Sequence, residues 1–247
     1  MARATPLSTL ARWFAPSRRI PDVRWRAESR WRPRPSTLAV LVVGLAIFGL
    51  GEAFVVVAGL GQSPWTVLAE GLAIQLGWSI GAATFLVGCT VLLLWIPLRE
   101  RPGPGTLLNI LVISTTLGVA VELLPHPEGA ITRAVWLLVG IALVGLGSGC
   151  YLTCGVGPGP RDGWMTGIHL RTGWPVARVR FGIEVVVLTT GWLIGGTVGL
   201  GTLAFALLIG PSVGLGLRAI GVVGRGAAAA GDTVAAPHDP VFPELEA

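Results

Sequence analysis

Long apolar runs with almost no charge are the feature that most limits what this chain can fold into. Six of them are close to 20 residues long, the length that crosses roughly 30 Å of hydrocarbon at 1.5 Å per residue. The runs are 38–60, 79–98, 105–124, 134–155, 179–196 and 199–220. The pattern predicts an all-α polytopic membrane protein with six transmembrane helices.

Composition supports this class and argues against soluble ones. Hydrophobic residues make up 52% of the 247 positions and charged residues 13%, whereas charged residues are about a quarter of a soluble chain. The net charge is +5, and all 18 basic residues are Arg. Because these Arg flank the apolar runs, we interpret them as topology signals. We therefore expect no nucleic-acid partner and no soluble-enzyme activity.

Two Gly/Pro-rich segments follow the first and fourth runs and carry the same residues 96 positions apart. Gly59, Gly61 and Pro64 match Gly155, Gly157 and Pro160, and we predict that these six positions form hinges. The segments that follow them, 64–77 and 160–173, are too short to cross a bilayer. We predict that each is a short helix, re-entrant or interfacial.

The wider sequence around these segments also repeats. Residues 44–113 slide onto 140–209 without a gap, keeping Trp78 over Trp174 and Thr106 over Thr202. We therefore predict one three-span unit written twice. The predicted organisation is 1–35, an Arg/Trp-rich cytoplasmic tail; 36–128, the first three-span repeat; 129–220, the second; and 221–247, a disordered acidic tail.

Arg placement predicts the orientation. With a cytoplasmic N-terminus and six spans, 17 of the 18 Arg lie inside and only Arg133 lies outside. Both termini are then cytoplasmic in a multi-pass protein of the inner (plasma) membrane. Because three spans per repeat is an odd number, the two repeats are inverted. The basic tail, with Leu7, Leu10 and Phe14 on one side of a short helix, is expected to contact anionic lipids.

Acidic residues inside predicted spans are the first candidates for a functional site. Glu52 and Glu184 are unpaired in the sequence pattern, and Glu122 lies near the outer end of the third span. A carboxylate at that depth costs several kcal/mol, so it faces the interior, pairs or is protonated. The functional interpretation is a proton or cation site, or recognition of a cationic substrate. The alternative is a protonated or hydrogen-bonded structural acid.

Arg161 and Asp162 follow the second hinge and complete the candidate substrate or proton site. One interpretation is structural: Asp162 caps the short helix that follows and pairs with Arg161. The alternative is that Arg161, with free backbone N–H groups from the glycines, binds an anionic group. We find no catalytic set and no metal-ligand spacing, and we expect Cys150 and Cys154 to be packing residues. No cofactor is expected. Trp65 and Trp95 lie near span ends, as interfacial residues do.

Several of these motifs resemble one bacterial family. They include Gly61–Gln62–Ser63–Pro64–Trp65, Gly157–Pro158–Gly159–Pro160–Arg161–Asp162–Gly163, Arg171–Thr172–Gly173 and Val179–Arg180–Phe181–Gly182–Ile183–Glu184. The resemblance, over about residues 38–217, is to the YczE-like branch of the YczE/YyaS/YitT integral membrane proteins. It implies a multi-span bacterial inner-membrane protein and assigns no biochemical activity.

Two functional hypotheses follow. The first is a permease or exporter of a small solute, coupled to protons through Glu52 or Glu184. The second is a non-transporting accessory protein that holds a cytoplasmic biosynthetic enzyme at the membrane through residues 1–35. Deleting that tail is expected to spare a transporter and to inactivate a scaffold.

Overall fold

The structure, a computed structural model, describes residues 20–224. Helices account for all the regular secondary structure of these residues. They are α1 (Pro35–Ala58), α2 (Pro64–Leu76), α3 (Ile80–Leu93), α4 (Trp95–Leu98), α5 (Pro104–Leu123), α6 (Ala130–Thr153), α7 (Pro160–Thr172), α8 (Val176–Leu193) and α9 (Leu200–Gly224). The all-α prediction is confirmed. Helix α9 includes 221–224, which we had expected in the disordered tail, and 225–247 lie outside the described residues.

Local chemistry fixes the two short helices at the predicted positions. Pro64 and Pro160 each occupy the first helical turn, where a missing N–H costs nothing and φ is already helical. Gly77 and Gly173 end these helices in the left-handed conformation, with φ of 66° and 69°. That conformation suits glycine because it has no Cβ. The two short helices therefore start and stop for reasons visible in the sequence.

Five helices are long and apolar enough to cross a membrane within the described part of the chain. They are Pro35–Ala58, Ile80–Leu98, Pro104–Leu123, Ala130–Thr153 and Leu200–Gly224. The sixth predicted run corresponds to α8, which has 18 residues and carries Arg178, Arg180 and Glu184. Charge sets α8 apart from the other long helices.

Helices α1 and α6 cross in close, antiparallel contact through glycine. A Cβ on Gly44 would lie 3.2 Å from the Gly147 carbonyl oxygen, and one on Gly51 would lie 2.7 Å from that of Gly140. The residue contacted on α6 has a lower number as the residue on α1 has a higher one, so the two helices are antiparallel. Gly140 and Gly147 are the positions 96 residues after Gly44 and Gly51. Replacing each residue by its counterpart 96 positions away therefore converts the Gly44–Gly147 contact into the Gly51–Gly140 contact.

The same exchange holds for the connections that follow the hinges. The Gly201 N–H donates to the Leu60 carbonyl (2.7 Å), and the Gly105 N–H donates to the Val156 carbonyl (3.0 Å). Adding 96 to Leu60 and Gly105 gives Val156 and Gly201. The start of α9 thus holds the first hinge, and the start of α5 holds the second.

Two groups of helices result from this packing. Helices α1, α5, α6 and α9 form a continuous core, while α2 packs on α8 and α3, and α7 packs on α3, α4 and α8. The short helix of each half thus contacts the middle helix of the other. Packing between the two groups comes mainly from α3 against α5.

Residues 20–34, which we expected to belong to a flexible tail, pack against the bundle. The Trp25 indole N–H donates to Thr153 (3.3 Å), and its carbonyl accepts from the Thr37 hydroxyl (2.7 Å). Val23 lies against Gly224 at the end of α9. This segment therefore ties together the ends of α1, α6 and α9. A truncation that tests the basic tail has to end before residue 20, and the predicted lipid-binding helix lies outside the described residues.

We predict that Trp25→Ala destabilises the bundle by about 3 kcal/mol, because it removes a buried indole and leaves a cavity. In a chain of this size that lowers the thermal midpoint by about 6–12 °C. The measurement is fluorescence-detected gel filtration of heated, detergent-solubilised protein. Trp31→Ala is the control, since Trp31 is 65% exposed. Equal midpoints for the two variants would contradict the prediction.

Candidate functional site: the meeting point of two short helices

Both hinges turn the chain back into the bundle before a short helix begins. Gly61 and Gly157 have φ of 107° and 120°, and a Cβ on Gly61 would lie 2.5 Å from the Gly199 nitrogen. Glycine is required there both for the backbone conformation and for the close approach. Gly59 and Gly155 are also left-handed, at 61° and 68°. The hinge residues thus aim the N-terminal ends of α2 and α7 inward.

Glu52 lies at the N-terminal end of α2 and is only 2% exposed. Its Oε2 accepts hydrogen bonds from the hydroxyls of Ser63 (3.0 Å) and Thr66 (2.6 Å). Its Oε1 is buried and has no hydrogen-bond partner among the described residues. Glu52 is six residues from the end of α1, so it lies about 9 Å inside that end. The carboxyl group is held in place but has one free oxygen.

Arg161 stacks on Trp65, with its guanidinium carbon 4.9 Å from the ring centroid. These two residues are 96 positions apart, so they are equivalent positions under the predicted repeat. Arg161 forms no ion pair with a carboxylate of the described residues, 20–224. Cation–π stacking is worth up to about 2 kcal/mol when the groups are desolvated. Arg161 is thus oriented by an aromatic ring.

Asp162 lies in the first turn of α7, whose N-cap residue is Gly159. Its carboxylate accepts a hydrogen bond from the Tyr151 hydroxyl (3.1 Å) and one from the Gly159 backbone N–H. Asp162 adjoins Arg161 in the chain, but its Oδ2 already accepts from Tyr151.

Glu184 is not the unpaired acid that we expected. It forms an ion pair with Arg180 one helical turn away (2.9 Å), and the two side chains are 35% and 57% exposed. Glu122 is also exposed and lines a cavity of about 300 Å³ with Glu70 and Ser79. The structure therefore brings together Glu52, Arg161 and Asp162, and places Glu184 on the neighbouring helix α8.

Three site residues were missed or misplaced by sequence reasoning. Trp65 and Trp95, expected at the membrane interface, are 7% and 1% exposed, and Trp95 lies against Gly163. Tyr151 drew no attention because it lies in an apolar run. The signal for Trp65 was its repeat equivalence to Arg161. No group of metal-ligating side chains occurs within 20–224, where Cys150 and Cys154 are buried.

The fold and this site define a class, a helical membrane protein whose short helices start inside the bundle. Similarity to known protein families defines this class more closely. Residues 35–218 match the model of a family of unknown function, DUF6198. The chain belongs to this family, and a YczE protein, as its motifs indicated, is among its relatives.

Three relatives illustrate the similarity. An uncharacterized protein of Haemophilus influenzae is 45% identical over 77% of this chain and 87% of its own length. The uncharacterized membrane protein YczE of Bacillus subtilis is 33% identical over 72% and 81%. The uncharacterized protein YyaS of the same organism is 25% identical over 65% and 82%. No solved structure matches the chain. With its apolar helices in contact with lipid, the chain is a membrane protein.

Proposed function

We propose that the chain is a permease or exporter of a small solute in the bacterial inner membrane, built from two inverted three-span repeats. Support for the inversion comes from the antiparallel α1–α6 contact. Because α1 and α6 run in opposite directions, a two-fold axis that relates them is perpendicular to both helices. Since the helices cross the membrane, this axis lies in the membrane plane. Helix α8 then completes six spans, and the Arg distribution puts both termini in the cytoplasm.

One observation carries the proposal: Trp65 and Arg161 are repeat-equivalent residues in direct contact. Equivalent residues can touch only next to the axis that relates them, and in inverted repeats this axis lies near the bilayer midplane. A guanidinium there costs about 3 kcal/mol or more unless it faces protein or water. We infer a solute site at this point, between the N-terminal ends of α2 and α7.

Glu52 supplies a place for a proton beside this site. Its Oε2 has two hydroxyl donors, whereas its buried Oε1 has none. Leaving a charged acceptor buried without a donor is costly, and a proton on Oε1 removes that cost. Arg161 interacts electrostatically with Glu52 and is a source of compensating charge, and its guanidinium is stacked on Trp65. We propose that protonation of Glu52 leaves Arg161 free to contact the solute.

Reconstituted protein tests this proposal directly. Metabolite profiling of cells that lack or overproduce the protein selects the solutes, and proteoliposomes loaded with the pH dye pyranine report proton uptake when each is added. We predict that Glu52→Gln reduces solute-driven proton uptake at least tenfold, because the amide cannot take up a proton at Oε1. Glu122→Gln, at an exposed position, is the matched control and keeps the wild-type rate.

Two outcomes would overturn parts of the proposal. Wild-type proton uptake by a folded Glu52→Gln protein would remove the proton role. Failure of wild-type protein to move any selected solute would remove the permease function and favour the accessory role. Deletion of 1–19, which spares Val23 and Trp25, then tests whether the basic tail holds a cytoplasmic partner.

A further inference from the structure

The two halves differ in one contact, between the middle helix and the last helix of each repeat. In the first half, α3 packs tightly on α5. A Cβ on Gly81 would lie 2.8 Å from the Gly118 Cα, and one on Gly88 would lie 3.0 Å from the Ile110 side chain. Ile110 is accordingly only 7% exposed. This half of the molecule is closed.

The equivalent helices of the second half, α8 and α9, do not pack in this way. Helix α8 instead contacts α2 and α7. On α9, a Cβ on Gly210 would meet nothing within 4 Å, and Ala206, the counterpart of Ile110, is exposed. This face of α9 is therefore uncovered by α8, and we call the space between the two helices the α8–α9 cleft. Arg180 and Glu184 are both carried by α8.

Compared with the closed half, the middle helix of the second half carries larger side chains at the contact positions and the last helix carries smaller ones. Where the first half has Gly88 against Ile110, the second has Glu184 and Ala206. Thr84 lies between Gly81 and Gly88 on the same face of α3, and its counterpart on α8 is Arg180. On the last helix, the counterpart of Ser114 is Gly210. The larger residues of α8 thus match smaller ones on α9. The sequence leaves room on α9 for the Arg180–Glu184 pair.

We propose that α8 closes onto α9 in a second conformation, as α3 is closed onto α5 here, and that the α8–α9 cleft is the entry route to the Trp65–Arg161 site. Exposed on a membrane helix, the Arg180–Glu184 pair needs water, which an open cleft admits. Closure covers the pair with α9. The route rests on the permease function proposed above, whereas the closure itself does not.

Disulfide formation tests the closure in the full-length protein. Cys89, Cys150 and Cys154 are first replaced by Ala, and folding is checked by gel filtration. Two pairs are then introduced: Ala177→Cys with Gly210→Cys, and Glu184→Cys with Ala206→Cys. Their counterparts, Gly81 with Ser114 and Gly88 with Ile110, are in contact in the closed half.

We expect oxidation in native membranes to join both pairs within one chain, at several times the yield of a control pair. A disulfide forms only when the two Cβ atoms come within about 4 Å. Val186→Cys with Ala206→Cys is the control, because Val186 lies on the opposite side of α8 from Glu184. The second pair keeps the test valid where the first fails to fold.

The outcomes separate closure from function. Yields at control level for both pairs overturn the closure. Disulfides between chains overturn it too, because they place a second copy in the cleft. Within-chain disulfides that leave solute-driven proton uptake unchanged overturn the entry route only. Loss of uptake on oxidation and recovery on reduction support both, whereas a wild-type protein without flux refutes the permease and leaves the disulfide result intact.

Discussion

Gly51→Ala is expected to destabilise the protein by about 3 kcal/mol, at the upper end of overpacking effects. The new Cβ would lie 2.7 Å from the Gly140 carbonyl oxygen and 2.7 Å from the Val144 backbone nitrogen. Both are backbone atoms of α6, so relief requires the two helices to move apart. The expected drop in thermal midpoint is about 6–12 °C, measured by fluorescence-detected gel filtration.

A matched substitution in open space isolates the cause. Gly182 lies within α8, and a Cβ there would meet nothing within 4 Å. Gly182→Ala is therefore expected to be neutral or stabilising by up to about 1 kcal/mol, from helix propensity alone. Equal thermal midpoints for the Gly51 and Gly182 variants would mean that the α1–α6 glycine contact does not set stability.

Arg161→Gln is expected to reduce solute transport at least 100-fold while leaving a folded protein. The substitution removes the positive charge at the proposed midplane site. It forfeits a cation–π contact worth up to about 2 kcal/mol but also removes a costly charge from the protein interior, so stability changes little. Solute counterflow in proteoliposomes is the measurement, because it needs the solute site without needing net proton movement.

Three comparisons sharpen this test. Arg161→Lys keeps the charge but loses the planar stack on Trp65, so transport is expected to fall between the two extremes. Glu52→Gln is expected to retain counterflow while losing proton coupling. Arg178→Gln, on the exposed side of α8, should transport normally. Wild-type counterflow in a folded Arg161→Gln protein would leave Arg161 a structural residue.

Much of the architecture could be predicted from local patterns. The length of the apolar runs selects membrane helices, and Pro64 and Pro160 start the short helices where the backbone loses nothing by their missing N–H. Asp162 lies in the first turn of α7, where an acidic side chain is favourable for an equally local reason. The prediction that Glu184 is unpaired was wrong, although its partner could also be found locally. Arg180 lies one helical turn away, at the i,i+4 spacing typical of ion pairs within a helix.

The class of protein, the positions of its short helices and the 96-residue correspondence between its halves can be read from the amino-acid sequence, because chain-local chemistry and composition set all three. The contact of Trp65 with Arg161, the hydrogen bonds from Ser63 and Thr66 to Glu52, and the separation of α8 from α9 depend on tertiary packing. These contacts join elements far apart in the chain. The repeat predicts two equivalent halves, but the difference between a closed and an open half arises from packing.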